Sequence, residues 1–407
     1  MFITDDMCFR LKEKYGTPLY VYSEEILREK CRDMKNLLPN KNVKVNYSAK
    51  ANTNLELLKI IREEGLDVDA MSPGEIYIEL MAGFKPEQIF FISNNVSAEE
   101  MKYAIDRNIL ISVDSLSQLE MFGQMNPGGK VAVRFNPGIG AGHHEKVITA
   151  GKKTKFGIQK EFIFKVKEIL EKYDLILAGI NQHIGSLFLD GQVYVDSLKS
   201  FLEIAGEFPS LSFIDMGGGF GVPYRKDEKS LDLKKLGNDL DKVLADFLKE
   251  YPNKDVVFKM EPGRYIVAEC GILLGTVHSV KKNYGNTYIG TDIGFNVLVR
   301  PVMYDSYHEV AIIKKNGGSI SEGEEIATVV GNICETGDIL AKDRSLPKAR
   351  TGDMVVVFNA GAYGYVMSSN YNCRLRPAEV LIDKNGNDRL IRKRDTLESL
   401  VQNFDIK

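Results

Sequence analysis

The sequence predicts an α/β fold: a (β/α)8 barrel followed by a C-terminal all-β domain. From about residue 43 to 262, short apolar runs rich in β-formers alternate with helical patterns. After about residue 266, short alternating strands separated by glycine-rich turns take over. Parallel strands need helical crossovers, so the first pattern indicates a parallel sheet. A doubly wound open sheet is the alternative, but the count of eight runs and the polar residues at strand ends favour the barrel.

The eight predicted barrel strands follow one another at regular intervals. They are Val43–Ala49, Leu66–Met71, Ile89–Ser93, Leu110–Ser115, Val131–Asn136, Ile176–Gly185, Leu211–Gly217 and Asp255–Pro262. Between them, Leu55, Leu58 and Ile61 have the three-residue spacing of a helix. The segment Ser97–Glu100 has the pattern of a capping box, which predicts the start of another helix.

The predicted β-domain strands come later in the chain. They are Gly271–Val280, Thr287–Thr291, Glu309–Lys314, Glu325–Gly331, Met354–Asn359 and Ala378–Ile382. The early segment Thr17–Tyr22 is also strand-like, and its pattern alone does not decide whether it pairs with them. We expect residues 26–268 to form the barrel domain, and residues 1–25 with 269–407 to form the β-domain.

Composition narrows the possible partners and the cellular compartment. The 407 residues are 44% hydrophobic and 27% charged, as in an ordinary globular protein, and the net charge of -3 predicts no nucleic-acid partner. No apolar run reaches the roughly 18 residues that a membrane span needs, and the acidic start does not resemble a signal peptide. We therefore expect no membrane association and a cytoplasmic location.

The five cysteines are an odd number without metal-ligand spacing, which is typical of a reducing compartment. Cys8, Cys31, Cys270 and Cys373 are interpreted as small apolar core residues, and Cys334 is set apart. The adjacent pair His143-His144 does not predict a metal site, because adjacent side chains point apart and no third ligand is evident.

Lys50 is the first candidate for chemistry. In a βα barrel the reactive groups lie where strands end and loops begin, and Lys50 follows the first predicted strand. Small neighbours, Ala49 and Ala51, leave room for a flat ring. A partly desolvated lysine can form a Schiff base, although a single lysine after a strand is more often a solvated residue.

Three further motifs end predicted strands. The glycine-rich segment Gly217–Gly221 allows backbone N–H groups to approach a phosphate, or else forms only a tight turn. Glu261 can keep a pyridinium nitrogen protonated, or form a structural ion pair with Arg264. His183 can stack on a flat ring, or serve as a buried structural histidine.

Together these motifs resemble the fold-type III decarboxylases that depend on pyridoxal 5'-phosphate (PLP), a family of alanine racemase-like barrels. Within it, the chain is most similar to the diaminopimelate decarboxylases, and the resemblance extends over nearly the whole chain. The segments that carry it are Tyr47–Asn52, Thr154–Ile158, His183–Ser186, Gly217–Gly221, Glu261–Arg264, Arg300–Tyr304, Cys334–Asp338, Gly361–Tyr363 and Tyr371–Arg374.

The resemblance implies PLP as cofactor and a role for each matching residue. Lys50 would hold PLP as a Schiff base, His183 would cover the ring, and Glu261 would pair with the ring nitrogen. The other implied cofactor contacts are Ser186, Gly218, Gly219, Gly221, Gly263, Arg264 and Tyr363. The implied substrate contacts are Arg264, Arg300 and Tyr304 on a distal carboxylate, Glu335 on a distal ammonium, and Tyr363. Cys334 would return a proton to carbon after carbon dioxide leaves.

The resemblance also implies a homodimer whose Cys334-Glu335 loop reaches the partner's active site. Glu261 favours decarboxylation, since the similar racemases place an arginine at the ring nitrogen. Arg300 suits a distal carboxylate and Glu335 a second amino group, which together indicate meso-diaminopimelate as substrate and L-lysine as product.

Two other functions stay open at the level of the sequence. One is decarboxylation of another amino acid, or of a polyamine or siderophore precursor. The other is a catalytically inactive homologue that binds a partner, against which the intact Lys50, Glu261, Cys334 and Tyr363 argue. The chain departs from the family pattern at Leu187, at Val297 and in the loop 139–144 that contains His143-His144.

Overall fold

The structure is a computed structural model that describes residues 2–39, 41–92, 94–138, 151, 154–315 and 323–405. It divides into two compact units. The β-domain unit comprises Met1–Leu27, Tyr224–Glu228 and Val267–Lys407. The barrel unit comprises Arg28–Pro223 and Lys229–Ile266. The loop with His143-His144 lies outside the described residues.

The secondary structure runs through the whole chain. The strands are β1 (Leu19–Ser23), β2 (Val43–Ser48), β3 (Asp67–Ala70), β4 (Ile89–Ile92), β5 (Leu110–Val113), β6 (Lys130–Asn136), β7 (Ile158–Gln159), β8 (Ile176–Asn181), β9 (Phe213–Gly218), β10 (Val257–Glu261), β11 (Gly271–Asn283), β12 (Asn286–Thr291), β13 (Val310–Ile313), β14 (Glu324–Val330), β15 (Ile339–Pro347), β16 (Met354–Val357), β17 (Ala378–Ile382) and β18 (Asp388–Arg392). The helices are α1 (Asp5–Tyr15), α2 (Glu24–Lys35), α3 (Leu55–Glu63), α4 (Pro73–Met81), α5 (Ala98–Ile105), α6 (Leu116–Met125), α7 (Ile163–Lys172), α8 (Gln192–Gly206), α9 (Leu233–Glu250), α10 (Arg264–Val267) and α11 (Arg300–Tyr304).

The barrel unit contains a closed parallel sheet. Its strand order is β5-β4-β3-β2-β10-β9-β8-β6, and a pairing between β5 and β6 closes the ring, with β7 added beside β6. These eight strands, counted over the described residues, match the eight predicted runs. The predicted barrel is therefore confirmed, and the open sheet is wrong because the first and last strands pair.

An apolar layer fills the barrel interior below the strand ends. Phe90 and Phe213 come from opposite sides of the ring of strands, and their rings meet edge-on with centroids 5.3 Å apart. Ile92, Ala132 and Ala178 pack against them. Side chains from alternate strands stack in layers in such barrels, so this layer supports the groups at the carboxyl ends of the strands.

The β-domain unit is built on a mixed sheet in the order β15-β14-β12-β11-β1-β17-β18, with β16 paired to β11 and β13. β1 is antiparallel to β11 and parallel to β17, so the early strand-like segment belongs to this sheet. Its core includes Leu19, Val21, Leu274, Val356 and Val380.

Several elements of the β-domain unit differ from the predictions. The sequence predicts neither α1, which begins after the N-cap Thr4, nor β15. β15 lacks a regular alternation because Asp343 has a left-handed φ of 50° and the pairing with β14 shifts register. The sequence predicts Arg300 and Tyr304 in a turn between two strands of the β-domain, whereas they lie on the short helix α11.

The interpretation of the cysteines is wrong for one residue. Cys8, Cys31 and Cys270 are buried, whereas Cys373 is exposed. It ends the turn Tyr371–Cys373 with a left-handed φ of 53°, and this turn holds it away from the core. In the part of the chain that the structure describes, no helix has the length and apolar content of a membrane span.

Candidate active site

Lys50 lies at the carboxyl end of the first barrel strand. β2 ends at Ser48, and a single 3₁₀ turn, Ala49–Ala51, presents the lysine. The Tyr47 hydroxyl donates a hydrogen bond to the Asn52 carbonyl at 2.9 Å, so it spans this turn. The turn is therefore fixed on both sides of Lys50.

Two buried carboxylates lie in the electrostatic reach of Lys50. Asp69 on β3 is fully buried and accepts a hydrogen bond from the Ser48 hydroxyl at 2.6 Å. Burial raises the pKa of Asp69 to about 7, against the opposing effect of the Lys50 charge. Burial, with the nearby Asp215 and Asp69 carboxylates, also raises the pKa of Glu261 well above its usual value.

Glu261 ends β10 with only 4% of its surface exposed. Its Oε1 atom has no hydrogen-bond partner among the described residues, and its Oε2 atom lies 3.8 Å from Nδ1 of His183. A buried carboxylate oxygen without a donor is costly. The site is thus prepared for a ligand that brings an N–H or O–H group to Glu261.

His183 follows the end of β8 and is held as a neutral ring. The Gly218 N–H donates to its Nδ1 atom at 3.3 Å, which requires that nitrogen to be unprotonated. Burial and the charges of Lys50 and Arg134 lower the pKa of His183 well below its usual value. Its remaining proton therefore lies on Nε2.

The glycine-rich loop after β9 has strict steric requirements. A Cβ atom on Gly218 would lie 1.9 Å from the Glu261 carbonyl oxygen, and one on Gly217 would lie 2.3 Å from the Gln182 carbonyl oxygen. Gly217 also has a φ of +79°. Backbone approach between neighbouring strand ends thus requires these glycines whether or not a phosphate binds.

Some N–H groups of this loop are already engaged within the protein. The Gly217 N–H donates to Asp215 Oδ1 at 2.9 Å, and the Gly221 N–H donates to the Phe188 carbonyl at 3.0 Å. The Gly219 N–H has no acceptor among the described residues. It is therefore available to a bound anion.

The segment after β10 joins the Lys50 turn to the loop after β8. The Ser48 N–H donates to the Pro262 carbonyl at 3.1 Å, and a Cβ atom on Gly263 would lie 3.0 Å from Ser48 Cβ. Arg264 donates through Nη2 to the Ser186 hydroxyl at 3.1 Å. The carboxyl ends of the barrel strands and the loops after them thus hold Lys50, His183, Ser186, Gly217–Gly221, Glu261, Gly263 and Arg264.

The remaining candidates lie in the β-domain unit, beginning with Arg300 on α11. Its buried guanidinium contacts His308 Nε2 at 2.8 Å and lies 4.8 Å from the centre of the Tyr224 ring. The other His308 nitrogen contacts the Phe358 carbonyl at 2.8 Å, which makes that nitrogen the donor and Nε2 the acceptor. Arg300 is thereby held in one orientation. Tyr304 ends the same helix.

Cys334 and Glu335 lie on an exposed loop that two neighbours hold in place. Asp338 accepts hydrogen bonds from the N–H groups of Phe295 and Ile333, each at 2.7 Å. The Cys334 N–H donates to the Asn372 side chain at 3.1 Å, and the Tyr371 hydroxyl donates to Glu335. The thiol of Cys334 is exposed on this ordered loop.

Tyr363 has a left-handed φ of 56°, which is uncommon outside glycine and asparagine. Such conformations persist where the surrounding structure holds them, often at functional sites. Next to it, a Cβ atom on Gly361 would lie 1.8 Å from the Val267 carbonyl oxygen. The backbone around Tyr363 is therefore closely packed.

Comparison with known families decides the kind of site. The family model described as "Pyridoxal-dependent decarboxylase, pyridoxal binding domain" matches residues 24–268. The chain belongs to this family. The matched span contains Lys50, His183, Gly217–Gly221 and Glu261, and the cofactor that the family match supports is PLP.

Individual family members agree over nearly the full length. The chain is 40% identical over 400 residues to the diaminopimelate decarboxylase of Methanothermobacter thermautotrophicus, covering 96% of this chain and 92% of the relative. It is 34% identical over 418 residues to that of Escherichia coli K12, covering 98% and 96%. The crystal structure of the Helicobacter pylori diaminopimelate decarboxylase complexed with L-lysine matches with a TM-score of 0.89 at 30% identity, covering 97% and 98%.

The residues present in the barrel unit fit PLP. Glu261 Oε1 lacks a donor that a protonated ring nitrogen would supply, and the Gly219 N–H lacks an acceptor that a phosphate would supply, as judged over the described residues. Lys50 supplies the amine at the mouth of the same strand ring. When bound there, PLP supplies an electron sink for cleavage of a bond at the substrate's α-carbon.

Asp69, Asp215 and Lys259 lie in the barrel interior beside this site, and none of them belongs to a motif that predicts a role from the sequence. The sequence feature that could identify them is a charged residue that alternates with apolar residues in a strand, as in the segments 67–70 and 257–261. A charge on the inner face of a closed barrel is costly, so it marks a functional position.

Gly218→Ala tests the close approach of β9 and β10. We expect it to lower the free energy of unfolding by about 1–3 kcal/mol, because the added methyl group overlaps the Glu261 carbonyl. Urea unfolding measures the loss. Gly206→Ala is the control, since its methyl group meets no atom within 4 Å at the end of α8 and should not destabilise the protein. If Gly218→Ala had the same free energy of unfolding as Gly206→Ala, the close approach of Gly218 to the Glu261 carbonyl would be contradicted.

Proposed function

We propose that this chain is a PLP-dependent carboxy-lyase that converts meso-diaminopimelate to L-lysine and carbon dioxide. The observation that carries the proposal is the orphaned, buried Glu261 carboxylate oxygen, within electrostatic reach of the Lys50 amine in a pyridoxal-binding decarboxylase barrel. The curated relatives with 33–40% identity over nearly the full chain are diaminopimelate decarboxylases. The first observation supports the cofactor, and the second supports the substrate and the reaction.

In the barrel unit, we assign four kinds of contact to the cofactor. Lys50 binds the aldehyde carbon, Glu261 accepts the ring N–H, and neutral His183 covers the ring face. We assign phosphate binding to the glycine loop at Gly218, Gly219 and Gly221, together with Gly263, Ser186 and Arg264. Because Gly218 and Gly221 already donate within the protein, the Gly219 N–H is the principal backbone donor from this loop.

In the β-domain unit, we assign the substrate's far end to Arg300, Tyr304 and Glu335. Arg300 and Tyr304 bind the distal carboxylate, and Glu335 binds the distal ammonium. Among the barrel residues, Arg264 is assigned as a further substrate contact. Cys334 delivers the proton to carbon, and Tyr363 contacts cofactor and substrate.

The exposed position of Cys334 supports a homodimer in which this loop completes the partner's site. The free cysteines support a cytoplasmic location.

Carbon dioxide release with four amino acids tests the proposal. Wild-type protein loaded with PLP should act on meso-diaminopimelate far better than on lysine, ornithine or arginine. Preference for one of the last three would replace the substrate assignment by that of a decarboxylase for another amino acid. Absence of turnover with all four, despite bound PLP, would favour the inactive homologue.

Arg300→Ala should change the substrate preference. A buried guanidinium that binds a carboxylate contributes about 2–5 kcal/mol, so diaminopimelate turnover should fall steeply. Lysine and ornithine have no distal carboxylate, so their turnover should rise relative to the turnover of diaminopimelate. The measurement is kcat/KM for each amino acid with wild type and variant.

The control for this change is Arg10→Ala, an exposed arginine of the same unit. It should leave all the ratios unchanged. If Arg300→Ala lowers turnover of every amino acid by one factor, its role is structural support of α11, and the carboxylate assignment is wrong.

A further inference from the structure

A lysine side chain lies against the apolar layer beneath the candidate site. Lys259 lies on β10, two residues before Glu261, and its ammonium lies 4.4 Å from the centre of the Phe213 ring and 4.8 Å from that of Phe90. Because these two rings meet across the barrel interior, the Lys259 side chain points inward. A strand facing an apolar layer would ordinarily carry an apolar residue here.

Asp215 is the neighbour of Lys259 across the sheet. The two residues are direct register partners on the parallel strands β9 and β10, so their side chains lie on the same face. Asp215 is fully buried, and no N–H or O–H donor reaches its Oδ2 atom in the described part of the chain. Its other oxygen accepts from the Gly217 N–H. The Asp215 carboxyl group lies within hydrogen-bonding reach of the Glu261 carboxyl group.

Several charges in the barrel interior act on Lys259. Burial lowers the pKa of Lys259, and Asp215 is the foremost charge that opposes this effect, followed by Asp67. Burial raises the pKa of Asp215, and Lys259 is the foremost charge that opposes it. Lys44 and Glu261 are the other charged groups that act on Lys259.

We propose that Lys259 is a positioning residue for the reaction: its ammonium keeps Asp215 ionised, and ionised Asp215 makes Glu261 a stronger acceptor for the cofactor's ring N–H. This inference rests on the proposed function, which places the ring nitrogen at Glu261. Two adjacent buried carboxylates cannot both remain charged without a nearby cation. Lys50 and Lys259 supply cations to this carboxylate group, the first acting on Glu261 and the second on Asp215.

Loss of the ammonium has a defined consequence. Without it, Asp215 takes up a proton and no longer repels negative charge on Glu261. Glu261 then becomes a weaker base and holds the ring proton less firmly. A less protonated ring is a poorer electron sink, so kcat falls while the contacts to the substrate's far end are unchanged.

The test uses PLP-loaded wild type, Lys259→Met, Lys259→Arg, Asp215→Asn and the double variant that combines Lys259→Met with Asp215→Asn. We expect kcat of Lys259→Met to fall roughly tenfold, as for about 1.4 kcal/mol, with KM nearly unchanged. Lys259→Arg should restore it. The ¹⁵N chemical shift of labelled, bound cofactor should move toward the unprotonated ring nitrogen in Lys259→Met, and this readout does not depend on turnover. Lys249→Met, an exposed lysine on α9, is the control that should change neither quantity.

The double variant decides the route. Because Lys259 acts through Asp215, the fall in kcat of the double variant should equal the fall in kcat of Asp215→Asn alone. If the two residues acted independently, the two fold-changes in kcat would multiply. The Asp215 side chain accepts from the Gly217 N–H through one oxygen, and the amide oxygen introduced by Asp215→Asn can accept the same hydrogen bond. This variant therefore serves even if Lys259→Met fails to fold.

Three outcomes separate this inference from the function on which it rests. The inference is overturned if the ¹⁵N shift is unchanged in Lys259→Met or in Asp215→Asn. It is also overturned if the falls in kcat of the two single variants multiply in the double variant. Wild type that binds no PLP at all overturns the proposed function and this inference together. An active wild type with unaffected variants overturns the inference alone.

Discussion

Lys50→Ala should abolish both the borohydride-sensitive visible absorption of bound PLP and carbon dioxide release. The amine at the end of β2 is the group of the barrel site that can bond covalently to an aldehyde, and alanine removes it. The carboxylates Asp69 and Glu261 also lose a nearby cation, so both would take up protons more readily, and protonated Glu261 would accept the ring N–H less well. We therefore expect both cofactor affinity and turnover to fall, with turnover at background.

Two measurements separate this outcome from a general loss of structure. The variant should unfold in urea like wild type, since the turn Ala49–Ala51 accepts alanine without added volume. Lys59→Ala, at a partly exposed lysine on the next helix, should retain absorption and turnover. Full activity of Lys50→Ala would end the assignment of the cofactor to this strand.

Cys334→Ala should retain bound PLP with unaltered absorption and lose decarboxylation by roughly 100-fold, as for a lost general acid. The Cys334 backbone is fixed by Asn372, and the loop is fixed by Asp338, so the substitution should remove the thiol without moving the loop. Carbon dioxide release and cofactor absorption are measured on the same samples.

Cys373→Ala is a matched control for this second prediction. Cys373 is the other exposed cysteine, and it lies on the turn that holds the Cys334 loop. Its removal should leave turnover unchanged, which would separate the chemistry of Cys334 from general effects of thiol loss. If Cys334→Ala retains wild-type turnover, the proton comes from another group.

Much of the fold and site was accessible to sequence reasoning, because local signals mark it. Each barrel strand is a short apolar run between helical patterns, and Lys50, His183 and Glu261 lie at the ends of such runs. α1 was missed because one buried stripe of Cys8 and Leu11 among charged residues is a weak helical signal. β15 was missed because a left-handed residue breaks its alternation.

The sequence by itself determined approximately where the strands end and therefore which side chains can reach the mouth of the barrel. Only the tertiary structure decided that β2 pairs with β10, which places Ser48 of the first strand beside Pro262 after the last. It also decided that Asp215 and Lys259 share one inner face, beneath Glu261. The physical reason is that strand register and ring closure are long-range properties: they arise from packing between segments far apart in the chain, and no local pattern encodes the charge balance that such packing creates.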